Sequence, residues 1–133
     1  MRELNNLEKN IFYSTNKIYN LYYPNKNFKI NEPTDIIRIG IYEDSLWYYL
    51  FGNTIDGFCF YNNIYITRNK NKLNDISLLA HEFVHTIQFR HKPIMTLIRL
   101  IWERLFYGKK MYQISGNLEN EARFIQMYFI INL

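Results

Sequence analysis

Ile76-Ser77-Leu78-Leu79-Ala80-His81-Glu82-Phe83-Val84-His85-Thr86-Ile87-Gln88 decides how this chain is read. Ile76, Leu79, Ala80, Phe83, Val84 and Ile87 recur at intervals of three and one, which predicts one apolar stripe along a helix. His81 and His85 stand four apart at the border of that stripe, so both imidazoles can reach a single ion. Glu82 projects toward the same side, where it can polarise a metal-bound water. Two of the chain's three histidines fall within these five residues. The bland alternative is a surface helix with two solvated histidines, but the flanks fit the first reading. Asn74 and Asp75 can cap the helix, and Pro93 requires it to end beforehand. His91, near that end, reads as a solvated histidine that favours the helix dipole.

Outward from this segment, the composition is that of one globular domain spanning 1–133, with 48% hydrophobic residues and a formal net charge of +4. The basic residues are dispersed, with small clusters at Arg68, Lys70 and Lys72 and at Lys109 and Lys110, so nothing predicts nucleic-acid binding. The lone cysteine, Cys59, excludes an internal disulfide and a cysteine-based zinc site, and its apolar surroundings predict a buried thiol. No apolar run reaches membrane-spanning length and the first residues lack a secretory core, which predicts a cytoplasmic protein.

The remaining periodicities predict an α+β fold: a small antiparallel or mixed sheet packed on the histidine-bearing helix and on a later helix carrying glutamates. A first helix is expected over residues 3–22, closed by Pro24. Ile36–Tyr42 reads as a strand, and Ser45–Phe51 is ambiguous, with a short helix as one option. Phe58–Tyr61 and Ile64–Thr67 flank Asn62-Asn63, a tight-turn pair. Residues 94–106 form a strongly apolar helix, with Leu97, Ile98, Ile101, Trp102 and Leu105 on one face. That face is expected on the core, with peripheral membrane or partner contact as the alternative. Asn117 is a good cap for a last helix running toward Ile131.

A catalytic zinc takes three protein ligands and leaves a position for water. No histidine follows the motif at a usable distance, so a carboxylate on the last helix is the candidate, within Gly116-Asn117-Leu118-Glu119-Asn120-Glu121-Ala122-Arg123. Ala122 is small enough to let two helices approach. Glu119 lies about 60° around the helix from it and Glu121 about 100°, which favours Glu119 as the ligand. Glu121 reads as a first-turn residue complementing the helix dipole.

H-E-F-V-H-T-I-Q followed by E-N-E-A at a helix start resembles the gluzincin metallopeptidases. It is most similar to the small soluble minigluzincins and to the catalytic domain of Ste24-type CAAX proteases. The resemblance covers about residues 58–130 and implies a zincin-like fold, zinc held by His81, His85 and Glu119, and Glu82 as general base in peptide hydrolysis. It also implies that a peptide or protein substrate lies extended along an edge strand at 64–67. Relatives often place an aspartate four residues after the glutamate ligand to orient a histidine, and Arg123 stands there instead. Tyr107, Tyr112 and His91 are the candidates for stabilising the oxyanion. The competing expectation is a weak or inactive zinc-binding scaffold that serves as an interaction or regulatory protein.

Overall fold

The computed structural model describes residues 1–24, 36–52, 56–67 and 76–132. It is an α+β fold with a small mixed four-stranded sheet, as the periodicities predict. The strands are β1 (Arg2–Glu3), β2 (Arg38–Ile41), β3 (Gly57–Phe60) and β4 (Asn63–Ile66), in the order β1-β2-β4-β3. β2 runs parallel to β4, while β1 and β3 pair antiparallel with their neighbours. The helices are α1 (Asn6–Tyr22), α2 (Leu46–Phe51), α3 (Ile76–His91), α4 (Pro93–Tyr107) and α5 (Leu118–Asn132).

α1 begins later than residue 3 because a capping box sets its start. The Asn5 side chain accepts from the Glu8 amide at 2.9 Å, and the Glu8 carboxylate accepts from the Asn5 amide at 2.9 Å. Arg2 donates to both Glu8 oxygens, at 2.6 and 2.9 Å, which frees Arg2–Glu3 to pair with β2. The β3–β4 turn also differs from expectation by one residue. Tyr61 and Asn62 form it, and Tyr61 takes the left-handed conformation at φ 54°. Its ring packs 4.7 Å from both Phe60 and Phe89, contacts that offset the conformational cost.

α3 is the centre of the molecule. Ser77 and every residue from Leu79 to Phe89 are buried, so the helix is enclosed rather than merely striped. Phe83 meets Phe12 of α1 edge-on at 5.2 Å, and Ile64 and Ile66 of β4 join the same core. Cys59 is buried there too, as its setting predicts. α3 ends at His91, and Pro93 opens α4 in the first turn, where its missing N–H costs nothing. Asn74, Asp75 and the Arg68, Lys70, Lys72 cluster lie outside the described residues.

α4 overturns most of the expectation for its apolar side. Leu97 packs half-buried against the core, as expected, but Ile98, Ile101, Trp102 and Leu105 face solvent, whereas Thr96 and Glu103 are buried. The reason is at the start of α5. Glu103 Oε2 accepts from the Leu118 amide and Oε1 from the Glu119 amide, each at 3.0 Å. A carboxylate from another helix thus satisfies the first N–H groups of α5. Asn117 immediately precedes the helix, but the carboxylate of Glu103 takes the first amides, while the Asn117 side-chain NH2 donates to Met111 O at 3.2 Å.

No helix among the described residues is long and apolar enough to cross a membrane.

Candidate metal centre

The site is built where α3 and α5 cross. His81 and His85 lie one turn apart on α3, with ring centroids 5.0 Å apart. From α5, Glu119 Oε1 sits 3.6 Å from His81 Nε2 and in direct contact with His85 Nε2. The two imidazoles and this carboxylate each offer a ligand atom, all within 4.8 Å of one another. All three residues are buried, as is Glu82 at 4% exposure. Ala122 is fully buried, which permits the close approach of the two helices.

The far side of each ring is held. His81 Nδ1 bonds Gln126 Oε1 at 2.9 Å, and His85 Nδ1 bonds Gln88 Oε1 at 2.8 Å. An amide oxygen only accepts, so both Nδ1 atoms carry a proton and each Nε2 is the ring atom turned toward Glu119. The orientation of the Gln88 amide is itself fixed, because its Nε2 donates to Leu118 O and to Glu121 Oε1, each at 3.2 Å. Two imidazole nitrogens and one carboxylate oxygen are a donor set that suits a tetrahedral divalent metal with one position left for water, and a metal entering it would displace the protons that the Nε2 atoms share with Glu119.

Glu121 stands in the first turn of α5, as expected, but it has a further, inward role. It is buried, and besides Gln88 it accepts from the Tyr19 hydroxyl of α1 at 2.6 Å. Burial and the Glu121 charge both raise the Tyr19 phenol, which therefore stays protonated and donates. A line of contacts thus runs from Tyr19 through Glu121 and Gln88 to His85.

The charges are mutually dependent. Burial acts to raise the Glu119 carboxyl, but the His85 charge and hydrogen bonds from both histidines outweigh it and hold it well below the usual range. Burial acts to lower the His85 imidazole, and Glu119 overrides it. Glu82 is raised, first by burial and also by Glu119, against the lowering effect of the two histidines. A raised carboxyl suits a group that must accept and return a proton near neutrality.

β3 brings its backbone to the same place. A Cβ on Gly57 would lie 3.1 Å from Glu82 Oε1 and 3.2 Å from Tyr65 O, so the absence of a side chain leaves room for the Glu82 carboxylate. Of the three expected oxyanion donors, Tyr112 is the one against the site, with its ring 6.0 Å from His81. Burial, and next Glu119, raise its phenol, so it too remains a donor. Tyr107 and His91 are exposed.

The expected substrate strand is corrected. β4 is paired on both sides, with β2 and with β3, and has no edge to offer. Among the described residues, the free edges belong to β1 and β3.

Reading the sequence missed Gln88, Gln126, Glu103, Gly57 and the inward role of Glu121. Helical spacing signals two of these. Gln88 is three residues past His85, and Gln126 is seven past Glu119, so each shares its ligand's face. No protein-family model matches the sequence, and no curated protein and no solved structure is significantly similar to it.

Proposed function

We propose that the protein is a zinc-dependent endopeptidase of the gluzincin type, with a zincin-like arrangement of its sheet and helices. The observation that carries this reading is the convergence of His81 Nε2, His85 Nε2 and Glu119 Oε1, with both Nδ1 atoms already engaged by glutamines. A structural staple would use the same three donors but has no need of a buried carboxyl such as Glu82 beside them.

In this reading His81, His85 and Glu119 hold the metal. Zinc held there would supply Lewis acidity and a water acidic enough to ionise near neutrality. Glu82 is the residue that would accept a proton on the attacking side and return it to the departing amine. Tyr112, against His81, is the side chain that would donate to the oxygen of the scissile carbonyl. The peptide lies extended along the open edge of β3, whose first residue, Gly57, adjoins Glu82.

The test is Glu82→Gln, compared with the parent for zinc content and for cleavage of a fluorogenic peptide library. The variant keeps its metal and fold and loses cleavage. Undiminished cleavage refutes the proposal.

One observation favours the second reading, a zinc-binding scaffold with little or no turnover. The groups on Nδ1 are neutral amides, which raise ligand basicity less than a carboxylate would. A parent that binds one zinc and cleaves no peptide in the library decides for the scaffold.

A further inference from the structure

α4 is oriented against the usual rule for a surface helix. Ile94, Ile98, Ile101, Trp102, Leu105 and Phe106 form one continuous face over four turns, and all are more than half exposed, from 52% for Ile101 to 75% for Leu105. The opposite face carries Thr96 and Glu103, both buried. Thr96 donates to Gln88 O at 2.8 Å, and Glu103 holds the start of α5. These polar contacts, with Leu97 and Leu100 packed on the core beside them, fix the rotation of the helix, so the exposed face cannot turn inward without breaking them. An exposed apolar face this continuous exceeds what scattered surface residues produce.

The charges around it have one sign. From Lys92 to Lys110 there are five basic residues and a single acid, Glu103, which is buried. Exposed Lys92 precedes the helix and exposed Lys109 and Lys110 follow it, whereas Arg99 donates to Gly116 O at 2.6 Å and Arg104 lies over the Phe51 ring, so the lysines at its two ends carry the charge presented beside the apolar face. Trp102 and Phe106 stack at 3.9 Å within the exposed face, an aromatic pair of the kind that settles at a lipid headgroup boundary. With 15 residues the helix is about 22 Å long, short of the roughly 20 residues a membrane span requires.

We propose that α4 docks the protein on an anionic lipid surface, lying in the plane of the headgroups with the Ile98–Trp102–Leu105 face among the acyl chains and the flanking lysines on the lipid phosphates. Charge complementarity selects this occupant. A second copy of the chain packed antiparallel through the same face would bring Lys92 of one molecule toward Lys109 and Lys110 of the other, like charge against like. A bilayer rich in acidic lipids satisfies both the apolar face and its cationic ends.

The test is flotation of the full chain with two kinds of vesicle: phosphatidylcholine alone, and phosphatidylcholine with about a third phosphatidylglycerol. The chain floats with the anionic vesicles and stays behind with the neutral ones, and raising the salt weakens the binding. In a Trp47→Phe background the emission of Trp102 shifts to the blue on binding. The double variant Trp102→Ser/Leu105→Ser alters only exposed positions, and Lys109→Glu/Lys110→Glu alters only charge. Each lowers the bound fraction at least about tenfold. Failure to float with either vesicle overturns the proposal, as does equal binding to both. So does a solution dimer that Trp102→Ser/Leu105→Ser converts to monomer, since the occupant is then a second copy. Binding that survives both double variants overturns the assignment to α4.

Discussion

Replacing Glu103 by alanine removes a carboxylate that holds the start of the ligand-bearing helix. Both of its oxygens are used, at 3.0 Å each, on the amides of Leu118 and Glu119, and the residue is 2% exposed. Each buried N–H left without an acceptor costs about 1–3 kcal/mol. Loss of the negative charge at a helix N-terminus adds about 0.5–1 kcal/mol. The variant therefore loses about 2.5–7 kcal/mol, a large part of the stability of a domain this size. Glu103→Gln keeps one acceptor oxygen but presents an NH2 group to the other amide and also lacks the charge, so its loss is smaller, about 1.5–4 kcal/mol. Urea denaturation followed by circular dichroism gives both values, and hydrogen exchange localises them. The Leu118 and Glu119 amides exchange faster in Glu103→Ala than in the parent, under conditions where both proteins remain folded. An alanine variant within about 0.5 kcal/mol of the parent, or a glutamine variant less stable than the alanine one, refutes the capping argument.

Gln126→Leu removes the acceptor from His81 Nδ1 while leaving all three ligands in place, and it weakens zinc affinity about 10- to 100-fold in competition with a chromophoric chelator. An affinity within about twofold of the parent shows that the amide does not orient the ring. Gly57→Ala pushes a methyl group to 3.1 Å from Glu82 Oε1, so it lowers kcat at least about threefold with zinc content unchanged. An unaltered kcat means the carboxylate has slack on that side. Glu8→Gln tests the α1 box through pH. Burial acts to raise the Glu8 carboxyl, but hydrogen bonds from Arg2 and Asn5 leave it below its ordinary value. Its contribution is thus present above the usual carboxylate range and fades as the pH falls through the lowered value. Parent and variant differ by about 0.5–1 kcal/mol at pH 7, discounted for the exposure of Arg2, and converge in acid. A gap that persists at pH 2 assigns the effect to packing.

What the sequence revealed and what it hid divide along the range of the interactions. H-E-x-x-H placed two imidazoles on one turn because helix geometry is local, and Ala122 indicated the face of α5 that carries Glu119. The orientation of α4 was hidden. Its apolar face ranks as core on hydrophobicity alone, and only the pairing of Glu103 with amides fifteen residues later shows why the polar side turns inward. The burial of first-turn Glu121 was hidden for a related reason, since its partner Tyr19 is about a hundred residues away and no local pattern announces the contact. The turn at Tyr61 was displaced by one residue because the aromatic rings around it outweigh the preference of asparagine for left-handed backbone.

The phenol of Tyr19 makes the amino-terminal helix a stakeholder in the chemistry. A graft confined to the two donor helices would carry every coordinating atom yet lack the hydroxyl that keeps Glu121, and through it Gln88, facing His85. Clipping within the first two dozen residues should accordingly loosen the His81, His85 and Glu119 cluster without altering any of the three residues, so this segment and the candidate centre it braces act as one structural unit.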